Sequence, residues 1–252
     1  MDSSELLHLF FRWLHVLSGV MWVGQLWSLA LVLRVEPGQP LDPGLASATL
    51  RAHAWLRWSA VLTWLTGFPL LGIVCYSGGA VMPDQSLGVA TGAGLGAIVT
   101  AFGVYDLVWS RLDRHRVIAA MLSLALFTAV AFALSRVMIG RAVFVHLGAM
   151  LATIMLANVW RRIWPHERRR WMTTSDPARL SPANDIAALR LHHNVIMSVV
   201  VIVLMVSNHF PLVYGHALAW LVAPAIVVSG WLVTALLDRR SARVSLQAGG
   251  AF

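Results

Sequence analysis

Charge is what this sequence has least of. Only 12% of its 252 residues are Asp, Glu, Lys or Arg, where a soluble domain carries roughly a quarter, so lipid rather than water is the expected main solvent. Lysine is absent altogether, and all 19 basic residues are arginine. Cysteine is nearly absent too. Cys75 stands alone, which excludes an internal disulfide, a C-x-x-C-H attachment for c-type haem and a cysteine-ligated iron–sulfur cluster. Any metal must then be held by histidine or oxygen. Also lacking are the alternating segments of a membrane barrel, a phosphate-cradling glycine loop, a soluble domain and an internal repeat. The opening MDSSELLHLF has no basic n-region and no small-residue cleavage site, so the first apolar stretch is expected to remain as an anchor helix.

What the chain does have is apolar length. Hydrophobic residues make up 58% of it and the mean hydropathy is +0.72. A span needs about 20 mostly apolar residues, and stretches 8–33, 52–75, 86–109, 117–138, 141–163, 190–211 and 217–237 qualify. The fold class is therefore an all-α integral membrane protein, a bundle of about seven transmembrane helices. A single domain over 1–240 and a short cytoplasmic tail over 241–252 follow from that spacing. All arginines except Arg12, Arg136 and Arg141 fall on one side if the N-terminus is outside and the C-terminus cytoplasmic, which satisfies the positive-inside rule. The net charge of +8 is thus explained by topology, and no nucleic-acid partner is expected.

Two connections are sizeable. The first, over 34–51, is rich in Pro and Gly and reads as an irregular loop. The second, over 164–189, starts with a basic stretch suited to anionic headgroups, and Ser181–Pro182 reads as an N-cap and first helical position for the sixth span. Gly88, Gly92 and Gly96 recur every four residues, a spacing that permits close approach of a neighbouring helix.

The histidines carry the chemistry. Ionisable residues inside a membrane usually face the bundle interior, and a pair of imidazoles on different helices is the usual axial ligation of b-type haem in a helical bundle. By depth, His15 pairs with His146 in the outer leaflet and His53 with His193 in the inner one, so these four are the candidate metal ligands for one or two haems. Arg12, Arg57, Arg141 and Arg190 lie close in sequence to these four histidines, and guanidinium groups match the geometry of haem propionates. The bland alternative is that such histidines are interfacial residues with wet tips, or that they bond a neighbouring carbonyl. His209 faces nearly opposite His193 on a straight helix, so with Asn208 it is assigned to an outer substrate pocket or to a helix cap.

Several motifs taken together resemble a known family. RWLHVLSGVMWVG (12–24), TWLTGF (63–68), YDL (105–107), GRAVFVHLGAMLATIMLANVWRRIWP (140–165), LHHN (191–194) and LMVSNHFPL (204–212) follow the order of the membrane domain of the bacterial urate hydroxylases, the membrane-bound urate oxidases whose membrane domain is usually followed by a cytochrome c domain. The resemblance runs from about residue 12 to 215. It implies recurrent histidines at His15, His146, His193 and His209, an inner-membrane location, and electron transfer to quinone or cytochrome c, with further subunits of a redox complex as possible partners. For a urate-type hydroxylase, His209 is the candidate acid/base group, with Asn208 and Asn194 as the other candidate catalytic contacts. Two departures stand out: Val195 and Ile196 follow Asn194 where family members read asparagine and tyrosine, and the chain is expected to lack the cytochrome c module, so that electrons would need a separate acceptor. The readings that remain open are a haem-binding oxidoreductase subunit, a self-contained urate-type hydroxylase, and a non-enzymatic transporter or assembly subunit.

Overall fold

The computed structural model describes residues 3–32, 43–77, 81–82, 85–172 and 186–249. Within them the chain is mostly helical: α1 Ser3–Trp27, α2 Pro43–Leu71, α3 Leu87–Arg111, α4 Arg116–Ser135, α5 Gly140–Asn158, α6 Trp164–Met172, α7 Ile186–Ser207, α8 Pro211–Tyr214 and α9 Ala219–Gly249. Seven of these are long and apolar enough to cross a membrane, as hydropathy predicts. Helices are the solution that satisfies every backbone polar group internally where water is excluded. Part of each expected loop is helical as well, since α2 begins at Pro43 and α6 occupies the start of the second connection. The Ser181–Pro182 cap lies outside the described residues.

Local signals set the boundaries. Ser86 accepts from the Val89 N–H at 3.2 Å and opens α3, the usual N-cap device. Pro211 opens α8, where its missing N–H costs nothing. The tight turn expected between the fourth and fifth spans is present, with Met82 N–H donating to Val137 O at 3.2 Å beside it. Wide π-helical turns follow α1 (Ser28–Val32), α2 (Gly72–Tyr76) and α5 (Val159–Ile163).

The most buried span is the one built on α5, which packs against α7, α3 and α2 and is the hub of the bundle. Phe144, His146, Leu147, Met155 and Asn158 are wholly or almost wholly enclosed along it. By contrast α1 packs mainly along α2, leaving Trp13, Leu17 and Val20 exposed as the apolar surface that lipid would cover. Neighbouring spans run antiparallel, so the face where α1 starts also carries Tyr76, the start of α3 and the start of α5. We call this the first face, and the opposite end of the bundle the second.

One expectation is corrected here. Gly88, Gly92 and Gly96 make no close helix contact, and an added Cβ at each would meet nothing within 4 Å. The close approach in α3 is made by Gly94, off that register, where a Cβ would lie 2.6 Å from His146 Cδ2 and 2.8 Å from Met138 Cε.

Candidate functional site

Two polar clusters interrupt the apolar interior, one toward each face. From His146 to Asn158 the hub helix rises about 18 Å, which sets their separation along the bundle axis.

Toward the first face, His146 is completely buried. Its Nδ1–H donates to Ala142 O, one turn back, at 2.8 Å, and the Tyr76 hydroxyl meets Nε2 at 2.8 Å. Because a carbonyl can only accept, the ring proton sits on Nδ1 and Nε2 keeps its lone pair, to which Tyr76 donates. His15 repeats part of this pattern, with Nδ1 bonded to Thr63 O at 2.8 Å and Gly67 beside the ring. Trp64 Nε1–H donates to Thr153 Oγ1 at 3.0 Å, which places the Thr63 region level with α5 beyond His146. His15 is consequently about one to two helical turns deeper than His146, and the two rings have different partners.

Toward the second face, Tyr105 and His193 hydrogen-bond at 2.7 Å, and the Trp109 ring lies 4.1 Å from the imidazole, centroid to centroid. Asn158 donates to the Tyr105 oxygen at 3.2 Å and to Asn194 Oδ1 at 2.9 Å, while Asn194 donates to Met155 O at 3.0 Å. Beside them, Arg162 pairs with Asp106 through two contacts, and Arg190 Nη2 reaches the same carboxylate at 3.1 Å. His53 is buried on another side of this end, with Nε2 3.9 Å from Glu167 and its ring 6.2 Å from Trp164.

The residues singled out in the sequence are therefore distributed as follows. His146 and His193 each meet a tyrosine from another span, His15 meets α2, and His53 meets α6. Among the arginines, Arg12 is exposed and 3.3 Å from His8, Arg57 lies over the Trp160 and Trp164 rings at 5.1 and 3.9 Å, and Arg190 joins Asp106. Arg141 keeps a buried Nε with no hydrogen-bond partner among the described residues. His209 is exposed and Asn208 donates to Met205 O. Asn194 is about 21 Å away along α7, so the three candidate catalytic contacts do not form one site.

The tyrosines, Asn158 and the Asp106–Arg162 pair were not assigned from the sequence as site residues. A carboxylate and an amide inside apolar spans were the available signal, since such groups need buried partners.

Among the described residues no group of three or more His, Cys, Asp or Glu side chains is placed to hold a bare metal ion. His146 and His15 each have Nδ1 anchored on a main-chain carbonyl, the anchoring that fixes an imidazole for metal binding through Nε2, but at His146 the Tyr76 hydroxyl occupies that nitrogen, so an iron would have to displace it.

A protein-family model described as Urate oxidase N-terminal matches residues 43–248, a stretch that includes His53, His146, His193 and His209 and excludes His15. No curated protein and no solved structure is a significant match. With a match over most of its length, the chain belongs to the Urate oxidase N-terminal family.

Proposed function

We propose that this chain is the membrane-embedded part of an oxidoreductase of the urate hydroxylase type, and that its buried imidazoles hold b-type haem. Family membership supports the oxidoreductase class. The observation that supports the haem assignment is the state of His146, fully enclosed, with Nδ1 fixed on Ala142 O and the lone pair on Nε2, from which a haem iron would displace the Tyr76 hydroxyl. Gly94 leaves bare backbone against that ring, and the buried Nε of Arg141 on the same face, unpaired among the described residues, is a donor for a propionate.

His146 or, deeper in the bundle, His15 would supply a ligand toward the first face, with His193 and His53 as the candidates toward the second. Haem bound there would supply one-electron transfer between a reduced substrate or partner and an acceptor such as quinone or cytochrome c. The chain itself orients the imidazoles, keeps water from His146 and offers positive charge at both ends. Its arginine distribution favours α1 starting outside, and the family match favours the inner membrane of a bacterium.

Protein purified from haem-replete cells is expected to carry a Soret band and a b-type pyridine haemochrome spectrum. Substituting His146→Ala is expected to remove at least half of that absorbance at unchanged yield of folded protein. A colourless, folded wild-type preparation rejects the assignment.

The family match also favours a second reading, a self-contained urate-type hydroxylase. Urate turnover by the purified chain with an added acceptor separates it from an electron-carrying subunit.

A further inference from the structure

We propose that the polar cluster toward the second face is a binding site for a small carboxylate anion, with the Arg190 guanidinium as its charged contact. The proposal does not rest on the haem assignment.

Two guanidinium groups, Arg162 and Arg190, share the single carboxylate of Asp106, so the cluster carries a surplus positive charge. The two arginines are not equally placed to bear it. The Arg162 side chain is 33% exposed, whereas that of Arg190 is 4% exposed. Arg190 Nη2 is used on Asp106, but its Nε and Nη1 are buried with no hydrogen-bond partner among the described residues. A desolvated cation with unmatched N–H donors is expensive, and an anion accepting from those donors removes both penalties at once.

The surroundings suit a carboxylate on a flat body. Arg190 stacks over the Tyr105 ring at 4.7 Å, and the Trp109 ring adjoins through His193. Asn158, which also touches Tyr105, keeps a fully buried Oδ1 free to accept from a ligand N–H or O–H. The carboxylate could belong to a free molecule or to a haem propionate, and the chemistry at Arg190 is the same in both.

The test uses the full chain in detergent, prepared with and without haem, and titrated with sodium benzoate against sodium chloride at equal ionic strength. Thermal unfolding and tryptophan fluorescence are the readouts. For a free carboxylate, benzoate raises the unfolding midpoint saturably in both preparations. For a propionate, benzoate acts only on the haem-free protein, and Arg190→Met lowers the haem retained. Arg190→Met is expected to weaken benzoate binding at least tenfold. Arg190→Lys, which keeps the charge but loses donors, is expected to weaken it severalfold and serves if the methionine variant does not fold. Arg114→Gln, which alters an exposed arginine after α3 that has no part in the cluster, should bind like wild type. No benzoate response in either preparation overturns the proposal, as does an unchanged affinity in the Arg190 variants.

Discussion

At His146 the packing is close enough that single atoms decide the outcome. Both ring nitrogens are engaged, Nδ1 by Ala142 O and Nε2 by Tyr76, so the ring cannot turn aside. A methyl group at position 94 would sit 2.6 Å from Cδ2 and 2.7 Å from Nε2. Replacing glycine by alanine inside a helix normally gains up to about 1 kcal/mol, while overpacking a rigid core costs about 1–3 kcal/mol. Overpacking should win at Gly94, whereas Gly92 faces open space and only the gain applies there. The expected result is a lower thermal unfolding midpoint for Gly94→Ala and an unchanged or higher one for Gly92→Ala in the same detergent. Equal behaviour of the two variants would refute this packing.

Among the elements, π-helical turns place two of the key groups. Tyr76 ends the turn that follows α2, and Arg162 lies in the turn that follows α5. Such turns widen the helix locally and often accompany functional sites. Pro69, three residues before the first of them, takes one N–H out of the α2 ladder. Asp106 then acts as a tie between three helical segments, since it lies on α3 and binds Arg162 after α5 and Arg190 on α7. Asp106→Asn should cost about 1.5–3 kcal/mol, the range for hydrogen bonds to a charged group, because Asp106 and Arg162 are partly exposed. Arg162→Gln should cost less, because Asp106 retains Arg190 and the lost side chain is partly exposed. Urea or thermal unfolding of both variants checks the order. The seven spans were legible from the sequence because an unbroken run of about 20 apolar residues matches the thickness of a bilayer core and exceeds what a buried soluble helix needs. Which histidine meets which partner was not: Tyr76 is 70 residues from His146 and Tyr105 is 88 from His193, and no periodicity links residues on separate spans. The glycine register misled for a related reason. Four-residue spacing marks one stripe of a helix, and it does not say whether that stripe faces a neighbour or lipid.

For the molecule as a whole, the remaining variable is direction. The two ends differ in arginine content: Arg111, Arg114 and Arg116 surround the α3–α4 turn, whereas Arg136 and Arg141 flank the α4–α5 turn. Basic residues are retained on the cytoplasmic side of short loops, so the first turn should lie inside and the second outside. That orientation would put His146 and Tyr76 in the outer leaflet, and His193 and Arg190 in the inner one. Cys75 is only 2% exposed, which leaves the chain nearly silent to a membrane-impermeant thiol reagent and makes single introduced cysteines informative. Ile139→Cys is expected to label in intact cells. Asp113→Cys, on an exposed loop position, should label only after the membrane is opened. The reverse pattern would place the Arg190 cluster outside, where its carboxylate would have to come from the external medium.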